Sequence, residues 1–210
     1  MDDFDLENGT SDPERLNTPS SGSTSGLKRQ EALAFVWEVL IVVIFSLALI
    51  VPIRYYLVQP FFVKGASMEP TFDDGNYILI DEISYRFREP ERGNIVVFRF
   101  PQDRSQFFIK RVVGLPEETL EIKDNQIIIY SAENPKGLIL REDYLAPAQQ
   151  TLGNFRIKLD PDEYFVLGDN RLRSSDSRIW GPVNRSLITG RVFFRAFPFK
   201  EFGSFPEVNY

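Results

Sequence analysis

The residues that could do chemistry begin with a serine in a tight turn. Residues 64–72 read Lys-Gly-Ala-Ser-Met-Glu-Pro-Thr-Phe, so that Gly65 and Pro70 bracket Ser67. The small neighbours leave the Ser67 hydroxyl accessible and a backbone N–H free to meet an oxyanion. An ordinary turn serine has the same surroundings, so this segment alone does not establish a nucleophile.

A second segment places a lysine inside an apolar strand. Residues 107–116 read Phe-Phe-Ile-Lys-Arg-Val-Val-Gly-Leu-Pro. Strand alternation puts Lys110 on the face of Phe108 and opposite Arg111. Burial disfavours the charged ammonium and lowers its pKa, which is the change that a general base requires. The alternative is a lysine at a strand edge whose amine reaches solvent.

A third segment, residues 167–178, combines small hydroxyl side chains with charges of both signs. It includes Asp169, Ser174, Asp176 and Arg178. Behind a buried lysine, such side chains could form a polar network that holds the amine. An Asx turn or a solvated salt-bridge loop would have the same composition.

Two residue types are absent from the sequence, and their absence excludes whole classes of site. The 210 residues include no cysteine and no histidine. Disulfides, thiolate nucleophiles, the Ser-His-Asp triad and His-based zinc sites are therefore excluded. A hydrolytic base must be Lys, Asp, Glu or Tyr, or a metal held by carboxylates. The net charge of −6 gives nucleic acid no electrostatic reason to bind, so we expect no nucleic-acid partner.

The N-terminal quarter of the chain predicts a tail followed by a membrane span. Residues 1–30 are polar and acidic and predict a disordered tail. The apolar run Ala32–Ile53 predicts a transmembrane helix over residues 31–54. The basic pair Lys28–Arg29 before it favours a cytosolic tail. A buried core helix of a soluble domain is the alternative.

Residues 55–210 predict a β-rich domain. Their apolar runs are short, β-branched or aromatic, and bounded by Gly, Pro, Asn or Asp, as strands are. The expected fold is therefore mainly β, a single N-terminal transmembrane helix followed by an all-β domain. The predicted strands are Tyr77–Ile80, Ile95–Phe100, Phe107–Val113, Gln126–Tyr130, Glu163–Leu167 and Arg191–Phe197.

Four segments in order behind the span resemble the conserved boxes of type I signal peptidases, the bacterial and organellar leader peptidases. These serine proteases use a Ser/Lys dyad. The missing histidine fits this branch, whereas the endoplasmic-reticulum branch has His where Lys110 stands. The similar segments are Ser-Met-Glu-Pro-Thr at 67–71, Arg-Gly-Asn and the strand after it at 92–98, the lysine box at 109–116, and 168–178.

The resemblance implies the chemistry. Ser67 is the nucleophile and its own N–H an oxyanion donor, while Lys110 is the general base that later protonates the leaving amine. No metal or cofactor is implied. The supporting residues that the resemblance implies are Ser174 hydrogen-bonded to the lysine amine, the ion pair of Asp176 and Arg178, Asp169 in the same network, and Met68 lining the site.

The sequence departs from the family pattern at three points. Gly65 stands where many relatives have a serine that gives a second oxyanion donor, so the source of that donor is open. Asn94 replaces an aspartate, and Glu117-Glu118 replaces Gly-Asp. We expect the last two to affect turns rather than chemistry.

The resemblance implies a signal-peptidase-like catalytic domain, a membrane-bound serine endopeptidase that removes N-terminal signal peptides from exported preproteins. The substrate would lie extended beside a sheet edge, with small residues at Ala-x-Ala positions. Its partners would be those preproteins and the lipid bilayer, with Phe61 and Phe62 near the membrane. The membrane would be the cell inner membrane or the thylakoid membrane, with the catalytic domain on its trans side.

Two other functions remain open at this point. A self-cleaving Ser/Lys regulator would need a scissile bond of its own and an effector module, which the short tail does not offer. A catalytically impaired or non-enzymatic tethered β-domain would bind a partner without turnover. The glycine at position 65 keeps this second alternative open.

Overall fold

The computed structural model describes residues 24–52, 58–146, 148–205, 208 and 210 of the chain. Most of the predicted tail, residues 1–23, lies outside the described residues. The chain divides into two compact units between Ala48 and Leu49. Each unit is described separately below.

The first unit consists mainly of one long helix, α1, at Thr24–Pro52. It begins before residue 31, where the span was predicted to start, because the segment 27–31 (Leu-Lys-Arg-Gln-Glu) is made of good helix formers. Its Leu33–Val51 stretch is long and apolar enough to cross a membrane by length and composition. None of that stretch is buried, whereas a core helix of a soluble domain would be mostly buried.

The described part of the second unit consists of strands of 2 to 12 residues, one short α-helix and three short 3-10 helices. All of its strand pairings are antiparallel. The elements are β1 Val58–Phe62, β2 Tyr77–Asp81, β3 Ile95–Phe100, β4 Asp103–Gly114, β5 Thr119–Lys123, β6 Gln126–Tyr130, β7 Leu138–Ile139, β8 Phe155–Lys158, β9 Glu163–Leu167, α2 Ser177–Trp180, β10 Val183–Asn184 and β11 Ile188–Phe197.

Two sheets are present among the described residues. The larger has seven strands in the order β1-β2-β11-β3-β4-β9-β10, and the smaller has four in the order β7-β6-β5-β8. The hairpin between β5 and β6 turns through Asp124 and Asn125 alone. Both have positive φ, 50° and 61°, as two-residue hairpin turns require.

The centre of the larger sheet is covered on both faces. Alternate residues of β3 enter two different apolar clusters: Ile95 and Val97 pack with Met68 and Phe72, whereas its other face packs with Val112 and Val166. A strand buried on both sides reads as a continuous apolar run, which is why β3 is visible in the sequence. A third cluster links β4 and β9 to the smaller sheet.

All six predicted strands are present, which confirms the mainly β fold. Three of them are longer than predicted: β2 ends one residue later, at Asp81, β4 runs from Asp103 to Gly114, and β11 begins at Ile188. The strands that the sequence reading missed are β1, β5, β7, β8 and β10. Most of these carry charged or proline residues or are only two residues long, so their apolar pattern is weak.

Candidate active site

Ser67 lies on the loop between β1 and β2. The loop is closed at its base, where Val63 N–H donates to Asn76 O and Gly75 N–H donates to Val63 O, both at 2.9 Å. Met68 and Phe72 are fully buried and anchor the loop in the apolar cluster beneath it. The serine is therefore held by residues buried immediately after it.

Lys110 lies near the middle of β4, in the interior of the larger sheet. It pairs with Val96 of β3, and the next residue pairs with Leu167 of β9. Only 4% of the lysine is exposed, so the amine is not free in solvent. The prediction of a buried lysine is confirmed, and the strand-edge alternative is excluded.

The two side chains meet in the folded chain. The Lys110 amine lies 2.8 Å from the Ser67 hydroxyl oxygen and 2.9 Å from the carbonyl oxygen of Ile109. The ring centre of Phe108 is 5.4 Å from the amine. A separation of 2.8 Å is a hydrogen bond and is short enough for a proton to pass between the groups.

Burial changes the acidity of the lysine. Desolvation lowers the pKa of Lys110 from 10.5 to about 8, and the carboxylates of Asp176 and Asp169 oppose this by favouring the ammonium. About one molecule in ten then carries a neutral amine at pH 7, against a few in ten thousand for an ordinary lysine. The amine is therefore neutral often enough to accept a proton.

The loop after β9 is pressed against the serine. Asn170 N–H donates to the carbonyl oxygen of Ser67 at 3.1 Å. A Cβ atom at Gly168 would lie 2.5 Å from that same carbonyl oxygen and 2.1 Å from the Ser174 hydroxyl oxygen. The close approach of the two loops therefore requires a glycine at this position.

A cleft of about 740 Å³ opens beside the dyad. Ser67 and Lys110 lie in its wall, between apolar side chains from β1 and β4. Among the residues that the structure describes, no group of Asp and Glu side chains could hold a metal ion. The apolar part of the wall is formed by Phe61, Phe62, Val63, Ala66, Ile78, Val97, Phe107, Phe108 and Ile109.

The family model for signal peptidase, peptidase S26, matches residues 36–197, well over half of the chain. The chain belongs to the peptidase S26 family. The resemblance of its four boxes to type I signal peptidases is thereby confirmed, and with it the enzyme class, serine endopeptidase.

Two curated relatives agree with this assignment, and one solved structure is similar to part of the chain. “Probable signal peptidase I-1” from Synechocystis is 35% identical over 80% of this chain and 86% of its own. “Signal peptidase I V” from Bacillus subtilis is 32% identical over 70% of this chain and 90% of its own. The crystal structure of a signal peptidase I from Enterococcus faecalis is 32% identical, with a TM-score of 0.42, over 50% of this chain and 97% of that one.

In this peptidase S26 chain, Asp169 pairs with an arginine that the sequence reading had not singled out. Arg111 donates to both carboxylate oxygens of Asp169, at 2.9 Å and 2.7 Å, and neither side chain is accessible to solvent. Thr71 donates its hydroxyl to the same carboxylate at 2.5 Å. The pair thus joins β4 to both loops of the site. Its signal in the sequence was a second cation next to Lys110 in an apolar strand.

The predicted ion pair of Asp176 and Arg178 is present. The guanidinium donates to both oxygens of Asp176, each at 2.8 Å. The same carboxylate accepts from the N–H of Gly168 at 3.1 Å and from the N–H of Arg178 at the start of α2. Asp176 therefore closes the loop behind the lysine.

Ser174 is where the structure departs from expectation. The resemblance implied a hydrogen bond between its hydroxyl and the Lys110 amine, but the amine bonds to Ser67 and Ile109 instead. The Ser174 hydroxyl is buried, and it has no hydrogen-bond partner among the described residues. Tight packing against Gly168 holds the hydroxyl oxygen in this position.

The structure also shows the surroundings of two further residues from the sequence prediction, Met68 and Gly65. Met68 is fully buried in the cluster under the serine loop and is not among the residues that line the cleft. Gly65 has a φ of +82° and donates its N–H to Asp74 at 2.7 Å. The N–H of Ser67, in contrast, donates to no other described residue.

A second buried arginine, Arg171, stabilises the segment 168–178 in which it lies. The sequence prediction had assigned it no role. Arg171 donates to both oxygens of Glu142 and to the hydroxyls of Thr151 and Tyr144. The Tyr144 hydroxyl lies 2.8 Å from that of Tyr210, whose pKa burial raises to about 12. Nothing in the local sequence pattern indicates these partners, because they come from distant loops.

Proposed function

We propose that the chain is a membrane-bound signal peptidase that cleaves preproteins through an acyl-enzyme on Ser67, with Lys110 as general base. The observation that carries the proposal is the 2.8 Å contact between the lysine amine and the serine hydroxyl, in a buried setting that lowers the pKa of the amine. Family membership supports signal-peptide removal.

In the proposed mechanism the neutral amine takes the hydroxyl proton as the Ser67 oxygen attacks the scissile carbonyl. The resulting Lys110 ammonium gives that proton to the leaving amine, and the substrate's N-terminal part remains as an ester on the serine. Water then attacks the ester, with the amine again accepting the proton. The Lys110 ammonium returns that proton to the departing Ser67 oxygen, so the N-terminal product leaves as a free acid, the serine regains its hydroxyl and the lysine ends neutral as it began.

The oxyanion that forms in each step needs donors. The N–H of Ser67 makes no other hydrogen bond among the described residues and is suited to this purpose. The N–H of Gly65 is engaged by Asp74, and glycine has no hydroxyl to supply a second donor. Losing one such donor costs roughly 10²–10³ in rate, so we expect a water or another backbone N–H to supply it.

The supporting residues act by holding geometry. Asp176 and Arg178 fix the loop behind the lysine, and Asp169 ties the serine loop to β4. The buried hydroxyl of Ser174 is an unused donor and acceptor on this loop, with no partner among the described residues. In the proposal it bonds the lysine amine when the amine turns from the serine toward the leaving group.

The helix α1 anchors the enzyme in the proposed arrangement. The tail lies in the cytosol, and the β unit lies on the trans side of the inner or thylakoid membrane. The domain limits follow as a tail over residues 1–30, a span over 31–54 and a catalytic region over 55–210. A substrate whose signal segment lies in the same bilayer is presented at a high effective concentration.

The test is cleavage of a precursor with an Ala-x-Ala site by the full chain in detergent micelles. We expect Ser67→Ala and Lys110→Ala to abolish cleavage, and Lys110→Arg as well, because a guanidinium does not lose its proton. Lys123→Ala, an exposed lysine on β5, is the matched control and keeps full activity. Turnover by any of the three site variants would remove that residue from the mechanism.

A non-enzymatic tethered domain would give a different result. It would bind the precursor without cleaving it, and an active-site acylating probe would not label Ser67. We expect labelling of the wild type and its loss in both Ser67→Ala and Lys110→Ala.

A further inference from the structure

The cleft beside the dyad carries charges of one sign. Its lining includes three cationic side chains, Lys64, Lys110 and Arg173, and no Asp or Glu among the described residues. The chain as a whole has a net charge of −6. The charge that lines the cleft is therefore opposite in sign to the net charge of the chain.

Two of these cations, Lys64 and Arg173, are exposed and have no partner among the described residues. Neither the Lys64 amine nor the Arg173 guanidinium forms a hydrogen bond or ion pair with any residue in the described part of the chain. Two acidic side chains of the serine loop are hydrogen-bonded to groups other than these cations. Asp74 accepts from the N–H of Gly65, and Glu69 accepts from the side chain of Asn170.

The placement of the two cations follows from the loops that carry Ser67 and its neighbours. Lys64 precedes the nucleophile by three residues on the serine loop. Arg173 lies on the loop after β9, whose Asn170 bonds directly to the serine backbone. Both cations therefore line the cleft that holds Ser67 and Lys110, and they reach it from two different loops.

We propose that Lys64 and Arg173 select substrates that carry a carboxylate close to the scissile bond. This inference rests on the proposed function. A cleft with one sign of charge focuses its field and raises the local concentration of oppositely charged groups. An ion pair between an exposed cation and a substrate carboxylate contributes little free energy, so the expected preference is a factor of a few. It should appear mainly in the association rate and should weaken as the salt concentration rises.

A lipid surface is the other class of partner for exposed cations. The peptide is favoured because both side chains line the same cleft as Ser67 and Lys110. Cations that serve a bilayer would have no need to face a cavity that holds the catalytic pair.

The test uses the full chain in uncharged detergent and a set of peptides with an Ala-x-Ala site. Each peptide carries Glu, Gln or Lys at one position within four residues of the scissile bond, leaving the two small-residue positions unchanged. We expect at least one position where kcat/KM for Glu exceeds that for Lys by about 3–10-fold at low salt. We expect this ratio to fall toward one in Arg173→Gln, Lys64→Gln and the double variant.

Lys123→Gln serves as the matched control and should keep the ratio of the wild type, because Lys123 is an exposed cation outside the cleft. An equal kcat/KM for the Glu and Lys peptides at every position would overturn the inference. So would a Glu-to-Lys ratio that stays at the wild-type value in both Lys64→Gln and Arg173→Gln. The neutral Gln peptides separate this outcome from failure of the proposed function, since an active enzyme still cleaves them.

Vesicles distinguish the lipid alternative. If anionic vesicles stimulate the wild type and not the Lys64→Gln, Arg173→Gln double variant, while no peptide position shows a charge preference, the cations serve the membrane and the inference is wrong. If the peptide preference is present and anionic vesicles stimulate both proteins equally, the inference stands.

Discussion

At the scale of single residues, the proposed mechanism depends on the protonation of Lys110. The lysine is 4% exposed and its pKa is lowered to about 8 because its ammonium is desolvated. Only the neutral form can accept the serine proton. Both the rate of catalysis and the free energy of unfolding should therefore depend on pH through this one amine.

The first prediction concerns the pH dependence of catalysis. Below the pKa the neutral fraction of Lys110 rises tenfold with each pH unit, so kcat/KM should rise in the same way and level off above about pH 8. The measurement is single-turnover cleavage from pH 5 to 10 with chemistry as the limiting step. A rate that stays constant across this range would contradict the assignment of the base.

The second prediction concerns stability. A folded pKa of about 8 lies below the unfolded value of 10.5, so below pH 8 both states bear the proton and the folded state carries the full cost of the buried ammonium. Between the two values the unfolded chain binds more protons, and stability rises with pH. Above pH 10.5 the cost is gone.

We therefore expect the inactive Lys110→Met variant to be more stable than the wild type at pH 7, by roughly 1–3 kcal/mol. The gain should shrink above pH 10. Denaturant unfolding at both pH values measures it, with Lys123→Met as an exposed control. Equal stability of wild type and Lys110→Met at pH 7 would show that the buried ammonium carries no such cost.

At the scale of elements, the site is the meeting of one strand and two loops. β4 brings the lysine, the β1–β2 loop brings the serine, and the loop after β9 supports both. Arg111 and Asp169 hold these three elements together through a pair with no solvent access. Removing one member of such a pair leaves an unpaired buried charge, which costs about 3–5 kcal/mol.

The third prediction follows from this pair. Asp169→Asn removes a negative charge that raises the pKa of Lys110, and leaves the Arg111 cation uncompensated beside it. Both changes disfavour the ammonium, so the ascending limb of the pH–rate profile should move to lower pH while stability falls. Asp103→Asn, on the exposed start of β4, should move neither. An ascending limb that stays at the same pH in Asp169→Asn would show that the Arg111–Asp169 pair does not affect the pKa of Lys110.

The fourth prediction tests the contact between the two loops. Gly168→Ala places a Cβ atom against the Ser67 carbonyl and the Ser174 hydroxyl, which displaces the nucleophile. We expect kcat/KM to fall by about tenfold or more, because small displacements of a catalytic group are costly. Ser174→Ala should relieve only part of the loss, since the clash with the backbone carbonyl remains.

The control for Gly168→Ala is Gly75→Ala on the serine loop. Gly75 has a φ of +82° and open space around it, so this change introduces backbone strain without a clash. It should lower stability and leave kcat/KM nearly unchanged. Equal losses of activity in both variants would show that strain in the loop, rather than the approach at Gly168, controls the serine.

At the scale of the whole molecule, the chain combines an exposed apolar helix with a β unit. No side chain of Leu33–Val51 is buried, and the stretch is apolar enough to cross a membrane by its composition. Its 19 residues match the thickness of a bilayer core.

The fifth prediction is that the full chain fractionates with membranes and resists alkaline carbonate extraction. The double change Val43→Lys, Leu47→Lys should release it, because each cation near the centre of a span costs about 2.5–3.5 kcal/mol. The same two charges placed at exposed positions of the β unit, Gln126→Lys and Ser105→Lys, should not release it. Retention of the helix variant in the membrane after carbonate treatment would disprove insertion of α1.

The sequence by itself determined much of this protein. The missing histidine and cysteine limited the base to a few side chains, the apolar runs located the helix and six strands, and four ordered boxes indicated the family. These features are local, because burial and the periodicity of helices and strands leave their pattern in short stretches of sequence. Composition and spacing could therefore place Ser67 and Lys110 in separate segments.

Only the tertiary structure decided what those segments do together. The pairing of β4 with β9 brings Asp169 to Arg111, and distant loops bring Glu142 to Arg171. The structure also leaves the buried Ser174 hydroxyl without a hydrogen-bond partner among the described residues. The partner of a side chain depends on strand register and on how loops tens of residues apart pack together. Neither can be predicted from the residues next to it in the sequence.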